Sequence, residues 1–442
     1  MNKPVPVLLF FICRLFSFSG ENSCSCQPLA AGEVMDTIRV RSDRQESYAL
    51  YLPPGYNTHS PCPVIYFFEP GGRGSLPLQM YKDLAGEYGF ILISSNNCRN
   101  GAFEVMAPIA GRLFEDTQSR FSIDTGHVYF SGFSGGSKLA FRLALKNPIV
   151  GAVIGCGACY PVAGMQKNSI NFIYSGIVGT CDMNYYAMNQ NKNMLDNLGV
   201  PYYLIYFEGS HTWPPAPVFN EALWWTMIRD GLKGAGHIPD LYSIMSSAAD
   251  SARKRNDPFS AYQRAMEMKR MLRETAYGIK ADSLVKDLQK DPMYTMQMKE
   301  LARISKIEAA TYGEITEAFR SILNTRYNLK DTVHTSSWWK SQYKQCCKLI
   351  SSNTPEKQKL GKRMDALIVN SSYEQGAGYM SDKDYKRGAL VYDILVLFRP
   401  ESSYGYLQLA RCFKAMNQLK KAEKYLEIAR KKGLSADQEQ DR

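Results

Sequence analysis

The pattern of apolar and polar positions changes character once along this chain. From Asp36 to His211, short runs rich in β-branched and aromatic residues alternate with longer segments whose apolar residues recur every three to four positions. The strands this predicts are Thr37 to Val40, Tyr48 to Leu52, Val64 to Phe68, Phe90 to Ser94, His127 to Phe130, Ala152 to Cys156, Phe172 to Val178 and Tyr202 to Phe207, eight in all. The first two alternate polar and apolar residues and have no helix between them, as an antiparallel hairpin requires. Val64 to Phe68, in contrast, is continuously apolar, as a parallel strand covered on both faces must be. Helices are predicted over Gln79 to Tyr88, Val105 to Ser119, Ser137 to Lys146, Tyr185 to Leu198 and Asn220 to Leu232. The fold class that follows is α/β: a mostly parallel eight-stranded sheet covered by helices.

After Lys233-Gly-Ala-Gly-His-Ile-Pro239 strand-like runs nearly vanish, and long amphipathic segments rich in Ala, Lys, Arg, Met and Glu take over. This glycine-containing stretch is the predicted boundary between a sheet domain, 24–235, and an all-α domain, 240–442. A length of 442 residues agrees with two domains. Within the second, Tyr406, Leu409, Ala410, Phe413, Ala422, Leu426 and Ala429 have the spacing of a tetratricopeptide helix pair. Leu367 to Tyr379 and Asp384 to Phe398 would form the preceding pair, so 358–434 is expected to be tetratricopeptide-like. A generic helical bundle fits the same spacing.

Charge sharpens the division. Residues 236–442 hold 36 Lys+Arg and 25 Asp+Glu, a net of +11, whereas residues 1–235 hold 17 of each. Solvated helix faces account for such an excess, as does an anionic partner. The N-terminus reads as a signal peptide over 1–20: Lys3 in a short positive region, an apolar stretch from Val5 to Cys13, then Ser17-Phe18-Ser19 as a small-x-small cleavage site. The apolar stretch is too short to cross ~30 Å of hydrocarbon. Export follows, to a periplasmic, extracellular or surface-associated location, and with it no role in binding nucleic acid. No later stretch approaches the ~18 uninterrupted apolar residues of a membrane span. The eleven cysteines are dispersed, which fits an oxidising compartment without specifying pairs. Cys156-Gly-Ala-Cys159 has redox-motif spacing but closes a strand rather than opening a helix, and no second Cys or His pair accompanies it, so neither redox chemistry nor zinc is expected.

The candidate chemistry centres on Gly132-Phe133-Ser134-Gly135-Gly136, set between a predicted strand and a predicted helix. A serine on so sharp a turn needs small neighbours if backbones are to pass and leave Oγ exposed. Its hydroxyl is a poor nucleophile until a base accepts the proton, so a histidine must follow in the order serine, acid, histidine. Of five histidines, only His211 follows the last strand of the sheet domain without leaving it. Asp182, at the turn after Phe172 to Val178, is the expected acid. Capping of the next helix is its ordinary alternative role, and Glu208 is the rival acid. The oxyanion hole is expected from the amide of Gly135 and from the loop Pro70-Gly71-Gly72-Arg73-Gly74, with Gly72 preferred and Gly71 or Arg73 one residue away. Trp213 is the candidate substrate contact, at the rim of an open cleft. No metal and no organic cofactor is called for.

Tyr48-Ala-Leu-Tyr-Leu-Pro-Pro-Gly-Tyr56, the Gly-Phe-Ser-Gly-Gly segment, Gly179-Thr-Cys-Asp182 and Gly209-Ser-His-Thr-Trp-Pro214 resemble the esterase branch of the α/β-hydrolase superfamily that includes feruloyl esterases, acetyl xylan esterases and polyhydroxybutyrate depolymerases. The resemblance covers about residues 36–235 and implies Ser134 as nucleophile, His211 as base and Asp182 as acid. It also implies an ester substrate, carbohydrate-linked in the feruloyl and acetyl cases. The departure is Glu69-Pro-Gly-Gly-Arg73, where many such esterases carry a His-Gly pair. Two other readings of the whole chain are a serine peptidase, and an inactive hydrolase-fold scaffold whose helical domain binds a protein partner.

Overall fold

Continuous apolar runs become the inner strands. Val64 to Phe68 is buried along its length in the computed structural model, which describes residues 30–273, 275–324 and 335–435. The expected signal peptide, with Cys13, Cys24 and Cys26, lies outside them. The strands are β1 (Val34–Arg39), β2 (Ser47–Tyr51), β3 (Cys62–Phe68), β4 (Ile91–Ser95), β5 (Ile123–Phe133), β6 (Val150–Cys156), β7 (Ile173–Gly179) and β8 (Tyr202–Phe207). They form one sheet in the order β1-β2-β4-β3-β5-β6-β7-β8. β1 pairs β2 and β2 pairs β4 antiparallel; every later pairing is parallel.

Alternate residues face opposite sides, and helices cover both. Ile65, Phe67, Leu92, Tyr129 and Ile154 pack with α1 (Ser75–Tyr88) and α5 (Ala216–Asp230). Val64, Tyr66, Phe68, Ile93, Phe130 and Val153 pack with α2 (Phe103–Arg120), α3 (Gly135–Ala144) and α4 (Tyr185–Leu198). Helix α1 starts four residues before its predicted start because Pro77 falls in the first turn, where a missing N–H costs no intrahelical bond.

The predicted boundary is a single turn of 3-10 helix, Ala235–His237, and the apolar core runs across it. Leu241 and Met245 of α6 (Ile238–Lys254), Ala265 and Met268 of α7 (Pro258–Met271), and Leu288 of α8 (Ala276–Lys290) share one cluster with Phe219, Leu223 and Trp225 of α5. Polar links cross as well. Buried Arg264 pairs with buried Glu221 at 3.1 Å, and Trp225 Nε1 donates to Glu267 at 2.9 Å. The arginines of α7 also cap the open edge of the sheet: Arg264 donates to Tyr206 O and Arg270 to Tyr202 O.

Beyond α8 come α9 (Pro292–Leu323), α10 (Ser336–Ile350), α11 (Pro355–Ser381), α12 (Tyr385–Phe398), α13 (Ser403–Ala415) and α14 (Leu419–Lys431). A second core, with Phe319, Trp339, Met364, Ile368, Tyr392 and Leu409, holds them together. Helices α11 to α14 pack as sequential neighbours. No helix among the described residues is long and apolar enough to cross a membrane.

All eight cysteines among the described residues are free thiols. Cys156 closes β6 fully buried, and burial pushes the Cys159 thiol up to about 11, so the pair lacks the lowered pKa that redox chemistry needs.

Candidate active site

Helix α3 follows β5 with one residue between them, and that residue is Ser134. Its backbone sits at φ 53°, ψ −121°, outside the regions that L-residues ordinarily occupy. Two glycines permit the turn. A Cβ on Gly132 would collide with the carbonyl of Gly136, and a Cβ on Gly136 would collide with the carbonyl of Phe68 on the neighbouring strand. The serine N–H donates to Cys156 O at 2.8 Å, tying the turn to the end of β6.

The loops after β7 and β8 bring the other two groups. His211 Nε2 lies 2.9 Å from Ser134 Oγ, and His211 Nδ1 lies 2.9 Å from Asp182 Oδ2. Asp182 is fully buried, and His211 retains 16% of its side-chain exposure. Asp182 Oδ1 accepts the N–H of Asn184, which precedes α4, so one carboxylate serves both the turn and the imidazole. The two loops are laced together: Thr180 N–H donates to Phe207 O at 2.9 Å and Cys181 N–H to Gly209 O at 2.8 Å. Glu208, the rival acid, faces away. It accepts Thr180 Oγ1 and pairs with Lys359.

Ser134 after β5, Asp182 after β7 and His211 after β8 meet at the carboxyl end of a largely parallel sheet, whose strand order and covering helices define the architecture. This is the α/β-hydrolase fold. No family model matches the sequence, and no curated protein matches it. Solved structures that align with this hydrolase fold include the feruloyl esterase module from Clostridium thermocellum, 18% identical over 41% of this chain and 83% of its own, with a TM-score of 0.35. An S-formylglutathione hydrolase from Staphylococcus aureus is 13% identical over 42% and 88% (TM-score 0.33). An esterase from Pyrobaculum calidifontis is 15% identical over 50% and 86% (TM-score 0.35). What the site can do therefore rests on the geometry of its own residues.

That geometry corrects two expectations. Gly72 is not free to donate, because its N–H is spent on Glu69 O at 3.0 Å in a tight turn with φ 74°. Its neighbours are also engaged: Gly71 and Arg73 donate to the Glu69 carboxylate at 2.8 and 3.0 Å, and Gly74 donates to Asn96 Oδ1 at 3.1 Å. Burial works against ionisation of Glu69, but the bonds from Arg73 and Gly71 outweigh it and hold its pKa below the ordinary value. The carboxylate that stands in for the usual His-Gly pair thus collects the loop amides on itself. Gly135, by contrast, is the first residue of α3, where an N–H has no intrahelical acceptor.

The second correction is Trp213, which is 8% exposed and not at a rim. Its ring packs against Phe133, Phe67 and Tyr81, and Phe133 in turn lies 4.6 Å from the His211 ring, centroid to centroid. It belongs to the support beneath the histidine.

Asn100 also reaches the site, from the loop after β4. Its carboxamide lies so close to Gly135 that a Cβ there would collide with Oδ1, and its backbone N–H donates to Pro70 O at 2.8 Å. No motif marks it; only the fold brings the loop after β4 beside the nucleophile turn. A cleft of about 860 Å³ lies elsewhere, between α4, α7, α9 and the β8 edge, and neither Ser134 nor His211 lines it. Among the described residues no group of acidic, His and Cys side chains forms a metal site.

Proposed function

We propose that this chain is a serine hydrolase of carboxylic esters, acting through Ser134, His211 and Asp182. The observation that carries the reading is the unbroken relay of 2.9 Å contacts from Ser134 Oγ through His211 to buried Asp182 on a strained elbow. His211 Nε2 takes the hydroxyl proton as Oγ attacks the ester carbonyl carbon. Asp182 holds the Nδ1 proton and stabilises the imidazolium. The tetrahedral intermediate expels the alcohol with the proton held on His211, leaving an acyl group on Ser134. Water, deprotonated by the same imidazole, then releases the acid.

The oxyanion is held by the N–H of Gly135 and, in place of the occupied loop amides, by the Nδ2–H of the Asn100 carboxamide. That carboxamide has no partner among the described residues and lies against Gly135. The β6–β7 connection, residues 157–172, contains no helix, so no inserted lid arises there. A connection without a lid helix supports a bulky ester, including one linked to a polysaccharide through a feruloyl or acetyl group.

Two further parts of the proposal rest on residue patterns. Residues 1–20 direct export, and the helices over 358–434 bind a protein partner as tetratricopeptide stacks do. The test of the catalytic reading is turnover of p-nitrophenyl acetate by the full mature chain. Ser134→Ala is expected to lower it by several orders of magnitude with the fold intact. Equal turnover by the variant would refute it.

A further inference from the structure

The acid loop is held from outside the sheet. Thr180, two residues before Asp182, offers its carbonyl to Arg363 Nη1 of α11 at 2.8 Å, across 183 positions of sequence. That arginine is itself fixed: its guanidinium pairs with Glu308 of α9 through Nε and Nη2, and lies 4.4 Å from the centroid of the Tyr185 ring. Arg363 and Glu308 are both buried. Beside them Lys359, also on α11, donates to Glu208 Oε1 at 2.8 Å, and Glu208 accepts the Thr180 hydroxyl.

We propose that Arg363 is a positioning residue for the reaction, through which the helical region fixes the loop that carries Asp182. The inference rests on the esterase reading and extends it to residues beyond the sheet. Two residues, Thr180 and Cys181, separate β7 from Asp182; their N–H groups are laced to the β8 loop, and the Thr180 carbonyl is the point at which α11 holds the turn. A planar guanidinium with five donors can hold a carboxylate on one edge and a carbonyl on the other, which a point charge does less well. Burial makes the arrangement costly to break on one side only, since a lone Glu308 would be left unpaired. It also makes the arrangement rigid, and a shift of about 1 Å in a catalytic constellation is enough to lower rates ~100-fold.

The test removes both charges together in the full chain, as Glu308→Leu with Arg363→Met. Expected are an intact fold by circular dichroism, KM for p-nitrophenyl acetate within about threefold, and kcat lowered roughly 10- to 100-fold. The acidic limb of the kcat/KM profile should also move to lower pH, because a loosened carboxylate stabilises the protonated imidazole less. Arg363→Lys should recover part of kcat, and it carries the same test if the double variant does not fold. Wild-type kcat with an unmoved pH limb would overturn the proposal. Ser134→Ala is measured alongside: if that variant also turned over the ester normally, the fault would lie in the esterase reading itself.

Discussion

Asp182 Oδ2 lies 2.9 Å from His211 Nδ1, while Glu208, three residues before that histidine, turns to Lys359 instead. Asp182→Asn is accordingly expected to cost ~10³-fold or more in kcat, because the amide permits the wrong imidazole tautomer. Glu208→Gln should cost less than about tenfold. Steady-state kinetics on a soluble ester check both, and a reversed ranking would transfer the acid role to Glu208.

The Asn100 carboxamide lies against Gly135, and its Nδ2–H is the proposed second donor to the developing negative charge. Loss of one oxyanion donor typically costs ~10²- to 10³-fold in kcat. Asn100→Ala is expected to fall in that range with KM little changed, whereas Gly72→Ala should act chiefly on stability, since its positive φ and its contact with Asn96 disfavour a side chain. A kinetically silent Asn100→Ala would remove the carboxamide from the mechanism.

Asp393 on α12 gives the helical region a pH dependence. Burial lifts its pKa from 3.8 to about 6, and Lys421 offsets only part of that rise. A folded-state pKa above the unfolded value means a contribution that is fully present below about pH 4 and is lost as pH rises through about 6. Asp393→Asn should therefore raise Tm by a few degrees at pH 7.5 and have little effect at pH 4. Thermal melts across that range decide it; a Tm gain confined to low pH would contradict the sign.

The eight strands, their mixed hairpin and parallel pairing and the three residues brought together at the elbow were legible because each is encoded locally. A continuously apolar run marks a doubly covered strand, and small residues flank Ser134 because Gly132 and Gly136 meet neighbouring backbone. What escaped was decided by contacts remote in sequence. Trp213 has the loop setting of a surface residue, yet Phe67, Tyr81 and Phe133 enclose it from three other segments. The glycines after β3 have the composition of an oxyanion loop, but the direction of the Glu69 side chain commits their amides elsewhere. The boundary at 233–239 has the composition of a linker, while apolar residues on both sides close into one core. Nothing in the pattern around Arg363 points to Thr180.

The central claim is that Ser134 is an activated nucleophile, and a fluorophosphonate probe measures that directly. Incubated with the folded protein, digested and mapped by mass spectrometry, the probe should be found on Ser134, with labelling abolished in Ser134→Ala and strongly slowed in His211→Ala. Folded protein that takes up no label at Ser134, or that labels equally well without His211, would contradict the account.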